Sequence, residues 1–238
     1  MPIPKGSTSV MNRRIEPPDS LDFFPTPPYA TRALFEHVLG SHRMTDATVW
    51  EPAAGEGHMA EVIREYVAEV YASDVHDYGV GYAVGSFVGD GPDLALCPFQ
   101  PHWVITNPPF NLALDFVKRG LREASIGVAM LVRSNWLEGA KRYNELFRET
   151  PPTIVAQFVE RVPMVKGRWD PDASTATSYC WVVWEKRRIN RDYGWRGIHI
   201  PPGCRVRLEG PEDRERFAAP PPPKPEPTFV DLLEEVGA

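Results

Sequence analysis

Asn107, Pro108, Pro109 and Phe110 follow one another directly behind Trp103-Val104-Ile105-Thr106, an apolar run of strand character. Two successive prolines fix the backbone and cannot donate hydrogen bonds, so the carbonyls of Asn107 and Pro108 are left as acceptors. The Asn107 side-chain oxygen adds an acceptor beside them. Two acceptors converging on one point suit an amino group that must present its lone pair to an electrophile, and Phe110 offers a flat face to a planar base. A Pro-Pro turn that merely ends a strand has the same letters, and Asn ahead of Pro is a common turn. The location, about fifty residues beyond a glycine-bearing turn, favours the chemical reading.

That earlier turn is Glu51-Pro52-Ala53-Ala54-Gly55-Glu56-Gly57-His58-Met59-Ala60, with Gly-x-Gly-x-x-Ala between a strand and a helix. Small residues let a backbone approach a ligand, and a helix start offers free N–H groups. Asp74 stands 17 residues after Gly57 at the end of the next strand, where a carboxylate can accept from ribose hydroxyls. A nucleotide-like cofactor follows, with NAD as one candidate and an ordinary strand–helix turn as the bland alternative. Glu51 and Glu56 repel a pyrophosphate and suit a ligand bearing positive charge. S-adenosylmethionine, with a sulfonium, an amino group and no phosphate, meets that requirement.

Arg161, Lys166, Arg168 and Trp169 lie in a polar stretch, 160–178, between two strand-like runs. Basic, aromatic and hydroxyl groups on such a connection suit gripping phosphates and filling the gap left by a flipped base, against the reading of a solvated hairpin tip. Lys186, Arg187, Arg188, Arg191 and Arg196 either track a duplex backbone or solvate a surface. His58, His76 and His102 show no metal-ligand spacing with a cysteine, so no metal is expected, and they read as surface or cofactor-side residues. Trp181 and Trp184 read as core; Trp136 reads equally as core or as a pocket border.

The elements that must position these residues alternate. Helices are predicted at 28–39, 58–66, 112–123 and 137–147, and strands at 48–51, 69–73, 103–106, 127–132, 153–159 and 179–185. The run at 127–132 is apolar throughout, as in a strand buried on both faces. The pattern predicts one α/β domain over 21–217 with a mainly parallel sheet and ligands at the carboxyl ends of its strands. Residues 1–20 read as a flexible arm. Residues 218–238 read as a Pro-rich tail, a polyproline spacer over 218–227 leading to a short helix at 228–236.

Composition narrows the classes further. The 238 residues carry 42% hydrophobic and 24% charged side chains, enough for a core, and 26 prolines concentrated near the ends. No apolar run approaches the roughly 18 residues that span a bilayer, and the first residues lack a secretory signal's apolar stretch. Three separated cysteines, Cys97, Cys180 and Cys204, form neither a disulfide framework nor a zinc site, and a cytoplasmic location is expected. The net charge is −6, yet residues 118–196 hold 15 basic and 9 acidic groups against 6 and 15 in residues 1–117. That segment permits phosphate contacts in an acidic chain.

Asn107-Pro108-Pro109-Phe110, the turn from Glu51 to Gly57, and Phe24-Pro25-Thr26-Pro27-Pro28 together resemble the signature set of class I S-adenosylmethionine-dependent DNA adenine-N6 methyltransferases. The motif order is that of the gamma subgroup, and the chain is most similar to the small solitary enzymes of bacteriophages and prophages. The resemblance covers roughly residues 21–187. It implies a Rossmann-like fold with an antiparallel closing strand, methyl transfer to adenine in DNA after base flipping, and in-line displacement without a metal. It implies that Phe24, Thr26 and Pro27 lie beside the cofactor's methionine part. Glu51, Pro52, Ala53, Gly55 and Gly57 would line it, Asp74 would hold the ribose, and Asn107 to Phe110 would hold the adenine. The family's Asp-Phe-Leu is matched by Ser86-Phe87-Val88, so Ser86 replaces an acid, with Asp90 close by. A separate target-recognition domain is missing, leaving 160–178 and the chain beyond Arg187 for that task. Rival readings are methylation of adenine or guanine in RNA or of a protein glutamine, and a silent cofactor-binding module.

Overall fold

The computed structural model describes residues 22–190 and 194–218. The arm at 1–20, Arg191, and the spacer and helix expected beyond Ala218 lie outside the described residues. Strands form where β-branched and aromatic residues run together: β1 (Thr48–Glu51), β2 (Glu69–Asp74), β3 (Ala83–Val84), β4 (Trp103–Thr106), β5 (Gly127–Arg133), β6 (Ile154–Phe158), β7 (Tyr179–Glu185) and β8 (Arg196–Ile200). Among the described residues these make one sheet in the order β3-β2-β1-β4-β5-β7-β6-β8. β7 pairs antiparallel with β5 and β6, and the other pairings are parallel.

Both faces of the sheet are covered. On one face, α1 (Pro28–Leu34, continued by a wider turn over Phe35–Leu39) and α2 (His58–Ile63) pack with Trp181, Ile105 and Leu131. On the other, α3 (Ala113–Glu123) packs Phe116 and Val117 against Trp50, Val128, Met130 and Trp184. A short α4 (Ala140–Arg142) continues into Tyr143–Phe147 and begins three residues later than predicted, because Ser134–Leu137 forms a tight turn and Gly139 has a φ of 108°. Trp181 and Trp184 are core on opposite faces; their indole N–H groups donate to the carbonyls of Ala30 (2.9 Å) and Thr150 (3.1 Å). Trp136 is core as well, edge-on to Trp184 and Phe147.

The sequence left the chain beyond Arg187 free for target recognition, but its described part is built into the fold. β8 extends the sheet alongside β6, α5 (Cys204–Leu208) packs on α1, and α6 (Asp213–Phe217) docks through a buried ion pair. Arg32 donates to both Asp213 oxygens (2.6 and 2.8 Å) and to both Glu65 oxygens (2.7 and 2.9 Å).

β1 lies between β2 and β4, so the chain leaves β1 to one side and later returns to the other. The crevice at the carboxyl ends of β1 and β4 is the place where such sheets bind ligands. Strand directions put the ends of β1, β2, β4, β5, β6 and β8 and the start of β7 at that end.

Candidate active site

A cavity of about 130 Å³ opens at this crevice. Its wall includes Phe24, Thr26, Glu51, Pro52, Ala53, Asp74, Ser86, Phe87, Asn107 and Pro109, residues separated by up to 85 positions in sequence and singled out from it. Pro27, Gly55, Gly57, Pro108 and Phe110 are not in the wall itself. The glycines are required by their neighbours. Gly55 has φ 54°, and an added Cβ would sit 2.4 Å from the Phe23 ring; Gly57 has φ 92°, and its Cβ would meet the Tyr82 hydroxyl at 2.2 Å. Thus the glycine turn admits aromatic side chains from elsewhere in the chain.

Asn107 is held from one side only. Its Nδ2 donates to the Phe24 carbonyl (3.0 Å) and to the Thr26 hydroxyl (3.1 Å), while its Oδ1 is buried with no partner. A carbonyl can only accept, so the amide orientation is fixed by chemistry. The Phe-x-Thr-Pro element therefore also aims the asparagine. Glu51, 1% exposed at the end of β1, leaves Oε2 buried without a partner. Burial pushes its carboxyl well above the usual range, with Asp74 adding to the shift and Thr106 and the Asn107 backbone opposing it. Asp74 accepts from the backbone N–H of Gly55 (2.8 Å) and of His76 (3.0 Å), which pins the glycine turn to β2.

Several expectations need correction. Glu56 is exposed and outside the cavity, so the acidic side chains of its wall are Asp22, Glu51 and Asp74. Ser86 is in the wall, its hydroxyl donating to the Val88 carbonyl (2.6 Å), whereas Asp90 is exposed and outside it. Of the two readings of His58, surface or cofactor-side, its place fits the second: it is 5% exposed and lines the cavity. Phe110 does not present an open face. The Arg133 guanidinium lies 4.0 Å from its ring centroid, Phe24 packs at 5.3 Å, and its N–H donates to Asp22 (2.9 Å). A base that stacks on Phe110 must meet this planar cation.

The segment 160–178 lies at the same end as Asn107, but it is charge-balanced, with three basic and three acidic residues. Arg161 is exposed, Lys166 is half-buried, and Arg168 pairs with Asp170 at 3.2 Å. Trp169 is 3% exposed and cannot sit at a solvated tip; its apolar ring is packed inward while Gly167 N–H donates to the Phe23 carbonyl (2.8 Å). By contrast, Lys186–Arg188 follow β7 where Glu185 faces Gly127, at the opposite end of the sheet from Asn107. Arg196, opposite Ile154, is at that far end too. Among the described residues no group of three His, Cys, Asp or Glu side chains is placed to hold a metal ion, and no helix is long and apolar enough to cross a membrane.

No protein-family model matches the sequence, and no curated protein matches it. Solved structures do. The methyltransferase subunit of a type I restriction-modification system from Streptococcus thermophilus is similar with a TM-score of 0.53 and 13% identity, over 71% of this chain and 46% of that one. A provisionally assigned RNA methyltransferase from Pyrococcus horikoshii is similar with a TM-score of 0.52 and 16% identity, over 72% and 90%. The fold is that of the class I methyltransferases. A provisionally assigned class I S-adenosylmethionine-dependent methyltransferase from Listeria monocytogenes gives 0.49 and 11%, over 73% and 65%. This chain spans about half to two thirds of the length of the Streptococcus and Listeria proteins.

Within this fold, sequence reasoning missed Asp22, Phe23, Tyr78 and Arg119. Phe23 and Tyr78 pack at 4.9 Å in the cavity wall. Arg119, buried on α3, donates to the carbonyls of Phe87 and Ala95 (2.6 Å each) and so holds the Ser86–Phe87 wall. An arginine on the inner stripe of an otherwise amphipathic helix was the available signal for it.

Proposed function

We propose that the protein transfers a methyl group from S-adenosylmethionine to the N6 amino nitrogen of adenine in DNA. One observation carries this reading: Asn107 uses its donor on Phe24 and Thr26 and keeps a buried, unpartnered acceptor behind β4. A buried acceptor without a partner costs about 1–3 kcal/mol, so its retention at a cavity argues for a ligand that donates to it. Asn107 Oδ1 and the Pro108 carbonyl would accept the two N–H bonds of the amino group and turn its lone pair towards the cavity. Rigid prolines supply this acceptor pair already oriented, which lowers the cost of positioning. Phe110 would stack on the base, with Arg133 yielding its place or moving to the base's far face.

The cavity suits S-adenosylmethionine by its set of acceptors. Glu51, with an unpartnered oxygen, fits a cationic donor, and Asp74 retains lone pairs for ribose hydroxyls. When bound, that cofactor supplies an electrophilic methyl group on a sulfonium. Thr26, Phe24 and Asn107 would hold its amino-acid part, and Ser86 and Phe87, braced by Arg119, its adenine. The target adenine must leave the duplex to reach Asn107, since its amino group is inaccessible in the stack. Arg133, Arg161, Lys166 and Arg168 lie at the same end of the sheet and would meet the phosphates.

Tritium transfer from labelled cofactor to unmethylated genomic DNA, to RNA and to protein tests the substrate class. Label in DNA, recovered as N6-methyladenine after hydrolysis, is the expected result. Label confined to RNA or protein would refute the DNA assignment.

A further inference from the structure

His58 is the first residue of α2, directly behind Gly57, and its ring lines the same cavity as Glu51 and Asn107. Its Nε2 lies 3.0 Å from the Phe217 carbonyl at the end of α6. A carbonyl only accepts, so the ring proton is on Nε2 and Nδ1 carries a bare lone pair. Nδ1 is buried and has no partner. The residue is therefore the third cavity-lining side chain, with Glu51 and Asn107, to hold a buried acceptor that has no partner among the described residues.

We propose that His58 is a further cofactor-binding residue whose Nδ1 accepts from an N–H or O–H donor of S-adenosylmethionine, and that the Phe217 carbonyl is the positioning group that fixes the acceptor tautomer. This rests on the methyltransferase reading above. It gives α6 a task beyond covering the sheet. Arg32 binds Asp213 and seats the helix, the helix carries the Phe217 carbonyl to His58, and the Phe217 and His58 rings pack at 5.6 Å. Burial holds the imidazole below its ordinary pKa, so the ring stays neutral and Nδ1 stays an acceptor near neutral pH.

Two substitutions separate a ligand contact from a structural tether. In His58→Gln the amide reaches the Nε2 position, keeping the Phe217 bond and losing the acceptor at Nδ1. In His58→Asn the amide oxygen falls near Nδ1, keeping an acceptor and losing the tether. With the full-length chain, S-adenosylhomocysteine binding is measured by calorimetry and the Tm of each variant without ligand. The expected result is that His58→Gln melts close to wild type yet binds about 10-fold more weakly, while His58→Asn melts lower and binds within about 3-fold of wild type. A purely structural histidine gives the reverse order, with affinity following Tm, and that result, or wild-type affinity in His58→Gln, overturns the proposal. Failure of the wild-type chain to bind S-adenosylhomocysteine overturns the cofactor reading itself and the role of His58 with it.

Discussion

Glu51 is the residue whose chemistry most depends on what the cavity holds. Burial lifts its carboxyl well above 4.5, so the folded protein keeps a proton that the unfolded chain releases as pH rises past that value. The ligand-free protein therefore loses stability as pH climbs from about 4.5 towards Glu51's raised value, at up to about 1.4 kcal/mol per pH unit for one proton. A cationic ligand reverses the preference, because it stabilises the ionised carboxylate. Glu51→Gln keeps the shape and removes the ionisation. It should flatten this slope, raise the Tm of the ligand-free protein at pH 7, and weaken S-adenosylhomocysteine binding about 10-fold or more. Melting curves across pH with and without ligand check both effects. A lower Tm at pH 7 would mean that Glu51 is ionised and paired in the empty protein. The sequence identified Glu51 by its place before the glycine turn, whereas its buried, unpartnered oxygen depends on Thr106 and Asp74, which only the fold brings beside it.

Elements were legible to the degree that their own residues supply their stability. β4 and β7 have the predicted bounds, since both are apolar runs buried on both faces. β8, Arg-Gly-Ile-His-Ile, is mostly exposed and exists as a strand because β6 pairs with it; no local periodicity announces it. β3 is two residues long and equally silent. Helices were found by their apolar stripes and overrun at their ends, as with α2, which stops at Ile63. Between elements, α3 braces the loop after β3 through Arg119. This residue is 4% exposed, and its guanidinium also lies 4.7 Å from the Phe87 ring centroid. Arg119→Ala removes the donors to Phe87 and Ala95 and leaves two buried carbonyls unpaired. The expected outcome is a loss of about 3 kcal/mol in denaturant unfolding, with a weaker grip on the cofactor's adenine end. Unchanged stability would mean that the loop is held by its own turn.

At the scale of the molecule, the fold is closed by its carboxyl-terminal part. Asp213 is 1% exposed, and both its oxygens accept from Arg32, a guanidinium that also engages Glu65 and the Leu208 carbonyl. Asp213→Ala leaves Arg32 with Glu65 as its remaining carboxylate partner and should cost about 2 kcal/mol, or about 6 °C in Tm, while loosening α6 from His58. This long-range pair joins residues 181 positions apart, and nothing in the local sequence of either end reveals it. The same holds for the cavity: its motifs were readable one by one, but their convergence on Asn107 is a product of the sheet order. That convergence makes Asn107 the point on which the account stands. The direct test is a single-turnover assay of wild type and Asn107→Ala on unmethylated genomic DNA, with a duplex of guanine and cytosine only as control. Cofactor affinity is measured alongside, because Asn107 also anchors Phe24 and Thr26. The expected result is N6-methyladenine from wild type, none in the control, and a rate about 10²–10³ lower in the variant even at saturating cofactor. Wild-type turnover by Asn107→Ala, or equal methylation of the control duplex, would contradict it.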